Sequence, residues 1–460
     1  MEIRPPVEIR PPDSVLSVLG RLSESGHAAF VVGGSLRDVL LGREPEDWDM
    51  ATDARPEAIQ ALFPGAAYEN RFGTVAVPSG TDLIQITTFR SDHEYADHRR
   101  PHRVEFGDTI EVDLARRDFT VNAMAWGTPA PMPGPAGKNP TEPALVDPHS
   151  GLRDLELRTL RAVGDPAIRF EEDALRMLRA VRFAATLDFE IEAGTLAAIQ
   201  ARARLAAHLS GERVESEIDK LLAVPEPAAG LRLLAATNLL EVLSPDLATQ
   251  RGIPQNKIPG DDLWDHTVRT VEAVPADRPV VRLAALLHDI GKPATMGEGH
   301  FHGHDAAGAE LARAFLDHLR TPRADADRVV HLVRNHMFTY DPTWGDAGIR
   351  RFIRRIGRQD LDSLFVLRQA DNVGSGLEPE AHGLAELRAR VAAQLEGPVV
   401  LERGDLAVDG DELMAALGLT PGPNLGRLLD ELLERAIADP GINDRATLIA
   451  QARGIVAGAG

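Results

Sequence analysis

The chain has 460 residues, 50 Lys and Arg against 70 Asp and Glu, a formal net charge of −20 and no cysteine. At roughly 100–200 residues per domain this length predicts two to four domains with ample core, and a composition of 43% hydrophobic and 26% charged residues excludes disorder throughout. Without cysteine there is no disulfide framework, zinc ribbon or thiol nucleophile, so any metal must rest on His and carboxylates, which fits a cytoplasmic protein.

Residues 1–12 carry acids and prolines (MEIRPPVEIRPP) where a secretion signal needs a basic start and an apolar core, and read as a loose tail. A helix follows over 13–26, capped by Asp13 or Ser14, with Val15, Leu16, Val18, Leu19 and Leu22 on one face. Ala28–Val32 reads as a buried strand ending in Gly33-Gly34-Ser35, where Ser35 can cap a short helix running to Leu41. Further strands are expected near Trp48–Ala51, Thr74–Val77 and Asp82–Phe89, with a helix over Pro56–Phe63. Together these elements predict an α+β module with a mixed sheet. Residues 91–113 are polar, rich in Arg and His, and read as a mobile loop; residues 128–143 hold six prolines and read as a surface insertion.

After Leu160 the Ala/Leu/Arg pattern is helical almost to the end, with breaks at Gly211, Pro225–Pro227, Ser244–Pro245 and Gly252–Pro259. The longest uncharged stretch, Phe119 to Gly137, contains four prolines, and no run approaches the ~18–20 apolar residues of a membrane span. Neither half is basic: residues 1–250 hold 26 basic against 39 acidic side chains, the remainder 24 against 31. Any nucleic acid must therefore be held by local arginine strips rather than by a uniformly positive surface.

Two constellations carry chemistry. In the first, Gly33-Gly34 between a strand and a helix start lets a phosphate approach unpaired backbone N–H groups. Asp47-Trp48-Asp49 follows, and in a strand two carboxylates at i and i+2 share a face, where they can hold paired Mg²⁺ ions for in-line phosphoryl or nucleotidyl transfer. In the second, His266, His288, Asp289, His304, His336 and Asp371 fall on or beside predicted helices, an imidazole–carboxylate set suited to divalent metal.

The first constellation belongs to a longer ordered series: VVGGSLRD, DWDMAT, RFGTVAV, ITTFR, RRPHRVEF, DLARRDFTVNAMAW, VDPHSGLRDL, RFEEDALRMLRAVRFA and GERVESEIDKLL. Over residues 28–225 this series resembles the bacterial class II tRNA nucleotidyltransferases, the CCA-adding enzymes and poly(A) polymerases of the polymerase-beta nucleotidyltransferase superfamily. The resemblance implies a head (13–160) with the catalytic sheet, then an all-α remainder: a neck for base selection (161–225), a body or linker (226–259), a metal domain (260–375) and a tail (376–460). Asp47 and Asp49 would be the metal carboxylates. Gly33, Gly34, Arg37 and Asp38 would shape the triphosphate pocket, and Arg116, Arg117, Asp118 and Asn122 would touch ribose and phosphates. Arg90, Arg99, Arg100 and Arg103 match the flexible loop that helps the change from C to A addition; its ordinary length argues against an enzyme that adds only C. No third catalytic carboxylate can be placed; Asp82 is a candidate only as a strand start.

In EEDALRMLR, Asp173 and Arg176 are three apart and share a face if the segment is one helix, with Arg179 beyond them. Asp accepts only and Arg donates only. Cytosine and adenine both offer an amine beside an unprotonated ring nitrogen, so one pair suits either, whereas uracil and guanine present a carbonyl beside an N–H and are refused. The second constellation resembles the HD phosphohydrolases, in which His266, His288, Asp289 and Asp371 would bind one metal and His304 and His336 would contribute to a second, with Mg²⁺, Mn²⁺, Ni²⁺, Co²⁺ or Fe²⁺ as candidates.

The expected function is template-independent addition of C and/or A from CTP and/or ATP to the tRNA 3′ end, as CCA addition or repair, with Mg²⁺ in the head and no obligatory protein partner. The alternatives are addition of A alone, poly(A) synthesis, and a nucleotide phosphohydrolase with a non-catalytic head. A poly(A) polymerase usually has a basic C-terminal extension and no HD domain; this chain is acidic to its end.

Overall fold

The computed structural model describes residues 8–70, 73–80, 82–93, 103–107, 109–130, 142–255, 257–297, 300–397 and 399–458. The chain forms two compact units, Met1–Pro245 and Asp246–Gly460.

The first unit is built on a mixed sheet. Its strands are β1 (Ala29–Val32), β2 (Asp49–Thr52), β3 (Ala67–Asn70), β4 (Thr74–Ser79) and β5 (Asp82–Thr88), followed after a separate hairpin β6 (Arg90–His93) and β7 (Arg103–Phe106) by β8 (Ala125–Thr128) and β9 (Ala144–Val146). The order is β3-β4-β5-β2-β1-β8-β9, with β2 and β5 parallel and every other pair antiparallel. All four residues of β1 are buried, as expected for an apolar central strand. The helix Gly33–Leu40 leaves the end of β1 directly, so its N-terminus opens at the same sheet edge as the start of β2. Beyond the sheet the unit is helical, with Pro166–Glu172, Leu175–Leu187 and Gly211–Ala223 among its helices.

Several local expectations are corrected. The first helix begins at Asp13 with Pro12 before it, and no side chain caps it. Ser35 lies inside its helix and its hydroxyl donates back to the Val32 carbonyl at 3.0 Å, so it is not the cap. The polar segment 91–113 is not a plain loop: its flanks pair as β6 and β7 and it ends in the helix Ile110–Ala115. Arg90–His93 carries no apolar residue, so period-two alternation does not mark it as a strand. Of the tail, residues 1–7 lie outside the described residues, and Ile9 and Pro11 are buried rather than loose. Arg99, Arg100 and most of the proline-rich insertion lie outside the described residues.

The second unit is all-α. Leu263–Ala273, opened by a reciprocal capping box between Asp262 and Asp265, packs with Pro279–Leu287 and Leu361–Gly374; His304–Leu319 packs on Arg323–Asn335. A second apolar cluster around Leu413, Leu432 and Leu448 holds the C-terminal helices. Among the described residues no helix is long and apolar enough to cross a membrane.

Candidate functional site

Asp49 opens β2 and is half-buried, whereas Asp47 sits in the exposed bend before it. The pair is therefore not carried on one strand as expected, yet both side chains line the same cavity, of about 1000 Å³. Burial and the neighbouring Asp47 raise the Asp49 carboxyl above the usual range, against the pull of Arg117. Two like charges held together in this way fit a divalent cation with oxygen ligands. Gly33 has a left-handed φ of +72°, and a Cβ there would lie 3.0 Å from Arg117 Nη1 and 3.7 Å from Asp49 Oδ2, so glycine keeps this corner open.

Gly33, Gly34, Arg37, Arg116, Arg117 and Asp118 line the cavity with the two carboxylates. Asn122, Asp173, Arg176, Arg179 and Arg90 complete the expected set on its wall. Asp38 does not line it. Its carboxylate instead accepts from Arg37 Nε and Nη2, both at 2.9 Å, and fixes the guanidinium that also donates to Asn122 Oδ1 at 2.8 Å. Nor does Asp82 join the carboxylates: it accepts from Ser14 Oγ at 2.7 Å, and the β5 residue in register with Asp49 is Gln85. Asp118 accepts from Arg179 Nε at 2.8 Å and from Asn122 Nδ2 at 3.3 Å. Burial alone would raise its carboxyl, but Arg179 overrides this and lowers it to about 2.

The segment EEDALRMLR is not one helix. Asp173 is extended (φ −146°, ψ 105°) between the helices Pro166–Glu172 and Leu175–Leu187. Its Oδ1 accepts the Leu175 N–H at 3.0 Å and its Oδ2 accepts Arg213 Nη2 at 2.6 Å. Arg176 donates to Glu172 Oε2 at 2.7 Å and to the Arg116 carbonyl at 2.9 Å. Asp behaves here as Asp does at helix starts, preferring a cap to a helix interior.

Sequence reasoning missed Asp113. It is 1% exposed, with Oδ1 accepting from Arg116 Nε and Nη2 at 3.0 and 2.7 Å and Oδ2 from Arg117 Nε and Nη2 at 3.2 and 3.0 Å. One carboxylate thus aims both arginines, and those guanidiniums hold its own carboxyl below the usual range despite burial. The available signal was the i,i+3 and i,i+4 spacing in DLARR. Arg182 and Phe183 were also missed; the guanidinium lies 4.0 Å from the ring centroid and both line the cavity. Asp113→Asn keeps the shape but loosens both arginines. We expect KM for CTP and ATP to rise by about tenfold or more, with kcat less affected, in steady-state incorporation assays.

In the second unit all six predicted ligands come together. His266 Nε2 lies 3.2 Å from Asp289 Oδ2 and 3.3 Å from Asp371 Oδ1, and His288 Nε2 lies 3.1 Å from Asp289 Oδ2. On the other carboxylate oxygen, His304 Nε2 and His336 Nε2 stand 3.5 and 3.7 Å from Asp289 Oδ1. The division differs from that expected: Asp289 belongs to both triads, His266–His288–Asp289 and Asp289–His304–His336. His288, His304 and His336 donate Nδ1–H to the carbonyls of Ala285, Phe301 and Val333 at 2.7, 2.7 and 2.6 Å, which leaves each Nε2 as a lone-pair donor. His304 Nε2 and His336 Nε2 are buried without a hydrogen-bond partner, as vacant metal ligands would be. Gly291 lets these elements close up, since a Cβ there would sit 2.3 Å from the His304 carbonyl.

A mixed-sheet domain with paired carboxylates beside a glycine-opened helix, joined to a helical His/Asp cluster, defines a nucleotidyltransferase with an HD domain. The poly A polymerase head domain matches residues 29–161, the probable RNA and SrmB-binding site of polymerase A residues 188–250, and the HD domain residues 247–375. The CCA-adding enzyme of Lactococcus lactis subsp. cremoris is 45% identical, covering 95% of this chain and 94% of the relative, and the A-adding tRNA nucleotidyltransferase of Deinococcus radiodurans is 35% identical, covering 92% and 95%. The crystal structure of Bacillus stearothermophilus CCA-adding enzyme in complex with CTP superposes with a TM-score of 0.72 at 29% identity, covering 98% of this chain and 99% of that one. The chain belongs to the CCA-adding enzyme family of nucleotidyltransferases, whose head and HD domains depend on divalent metal.

Proposed function

We propose that this protein builds or repairs the CCA end of tRNA, joining C and A from CTP and ATP to the 3′ end without a template. The observation that carries the reading is the convergence of Asp47 and Asp49 with the arginines of the head and neck on one cavity. Asp47 and Asp49 would hold Mg²⁺, which supplies a lowered pKa for the attacking 3′-hydroxyl and charge neutralisation for departing pyrophosphate. Arg116 and Arg117, aimed by Asp113, and Arg37, aimed by Asp38, present fixed donors to the triphosphate. Asp173 accepts from the exocyclic amine of C or A while Arg176 donates to the ring nitrogen, and Arg213 orients the Asp173 carboxylate. In this reading 13–160 is the head, 161–225 the neck, 226–259 the body, 260–375 the HD domain and 376–460 the tail. The acidic chain would hold tRNA along arginine strips, in the cytoplasm.

Primer extension on tRNA transcripts ending at the discriminator base, at C and at CC tests this. Extension of all three to CCA is expected. Extension of the CC end alone would instead match the A-adding relative, and long A tails a poly(A) polymerase.

The HD cluster favours a second activity, metal-dependent hydrolysis of phosphoesters. Its mixture of imidazoles and carboxylates suits Mn²⁺, Ni²⁺, Co²⁺ or Fe²⁺ better than Mg²⁺. Phosphate release from p-nitrophenyl phosphate is expected with Mn²⁺, to disappear with chelator, and to be lost in His288→Ala and Asp289→Ala while nucleotide addition persists. Metal-independent release would overturn the assignment.

A further inference from the structure

The HD cluster opens into a cavity of about 540 Å³ that does not end at the metal ligands. Two of its lining residues, Arg368 and His382, also line a second cavity of about 500 Å³, whose other walls include Phe338, Tyr340, Pro342 and Leu384. Arg368 physically spans the junction: Nη1 donates to the ligand carboxylate Asp371 Oδ2 at 3.2 Å, while its guanidinium carbon lies 5.6 Å from the Phe338 ring centroid. On the metal side the cavity carries Lys257 and Lys292, two of the four lysines in the chain. His382 holds a left-handed backbone (φ 61°, ψ 31°) beside Gly383 at φ 73°, a conformation that disfavours a side chain and persists where the surroundings enforce it.

One end of this space is therefore polycationic and metal-ligating, and the other is aromatic. A bare phosphate occupies only the first; a flat ring carried on the phosphate would reach the second and pack against its apolar and aromatic walls. We propose that the chamber bounded by Phe338, Tyr340, Arg368 and His382 is the subsite for the ring of a ring-bearing phosphoester whose phosphate sits at the HD metal ligands. This rests on the HD reading above and adds what selects the ligand. Arg368 serves both ends, as a donor to the phosphate and as the cation that separates it from the ring.

The test uses full-length protein loaded with Mn²⁺ and two non-hydrolysable probes, phenylphosphonate and methylphosphonate, titrated by calorimetry. We expect phenylphosphonate to bind at least tenfold more tightly. Thr339→Trp, at an exposed position of the chamber wall, obstructs it without touching the core and is expected to reduce the difference below threefold, with methylphosphonate affinity unchanged. Equal affinity of the two probes in the unmodified protein, or a difference that survives Thr339→Trp, overturns the subsite and leaves the HD reading standing. Binding of neither probe overturns both.

Discussion

Asp49→Asn is expected to lower incorporation of both CTP and ATP by on the order of 10³ or more, while the melting temperature stays level or rises. Ordinarily the loss of a half-buried charged residue destabilises a protein. Here the sign is reversed, because burial and Asp47 together raise the Asp49 carboxyl. The folded chain then carries a penalty that is absent below the ordinary aspartate value of ~3.9 and grows as pH rises through the raised value. The amide removes the penalty and with it a carboxylate proposed to hold the metal. Mg²⁺ should raise Tm in the unmodified protein, through preferential binding to the folded state, and do so less in Asp49→Asn. Primer extension and thermal melts with and without Mg²⁺ measure both effects; a fall in Tm with activity retained would place the metal elsewhere.

The second large effect concerns base choice. Asp173→Asn is expected to reduce the preference for CTP over UTP by about 10²-fold, because an amide can turn a donor as well as an acceptor toward the base. Asp173 has two duties: its Oδ1 caps Leu175–Leu187 and its Oδ2 receives Arg213. Asn caps as well as Asp does, so the helix start survives, while the charge and the acceptor for Arg213 are lost. Arg213→Ala leaves the carboxylate present but less well oriented, and is expected to lower kcat/KM for CTP and ATP together with a smaller gain in UTP use. Competition between CTP and UTP on a tRNA ending at the discriminator base separates the two outcomes. Unchanged selectivity in Asp173→Asn would move base recognition to other residues of the cavity.

Much of this site was legible because local spacing dictated it. The apolar run of β1 followed by Gly33-Gly34 announces a strand running into a helix, and DWD and HD mark carboxylates that have no use in an apolar core. Arg37 and Asp38, like Arg117 and Asp118, are adjacent in the sequence, which does not say which carboxylate holds which arginine. Asp38 turned out to hold Arg37, whereas Asp118 is held by Arg179, 61 residues away. The hairpin β6–β7 was hidden because Arg90–His93 carries no apolar residue to mark a strand, and the break at Asp173 because a cap and a helical residue look alike in sequence.

The sequence by itself determined the mixed α+β head with its helical remainder, many of its elements, and which side chains can carry metal and phosphate chemistry, since these follow from residue type and short-range periodicity. Only the tertiary structure decided which carboxylate serves which cation. It made Asp113 the anchor of two arginines, gave Asp173 to Arg213 rather than to a helix face, withdrew Asp82, and set Asp289 between two triads. The physical reason is that a charged group is satisfied by whatever opposite charge the packed backbone brings within hydrogen-bond reach, and burial fixes that choice at a cost that spacing along the chain does not encode.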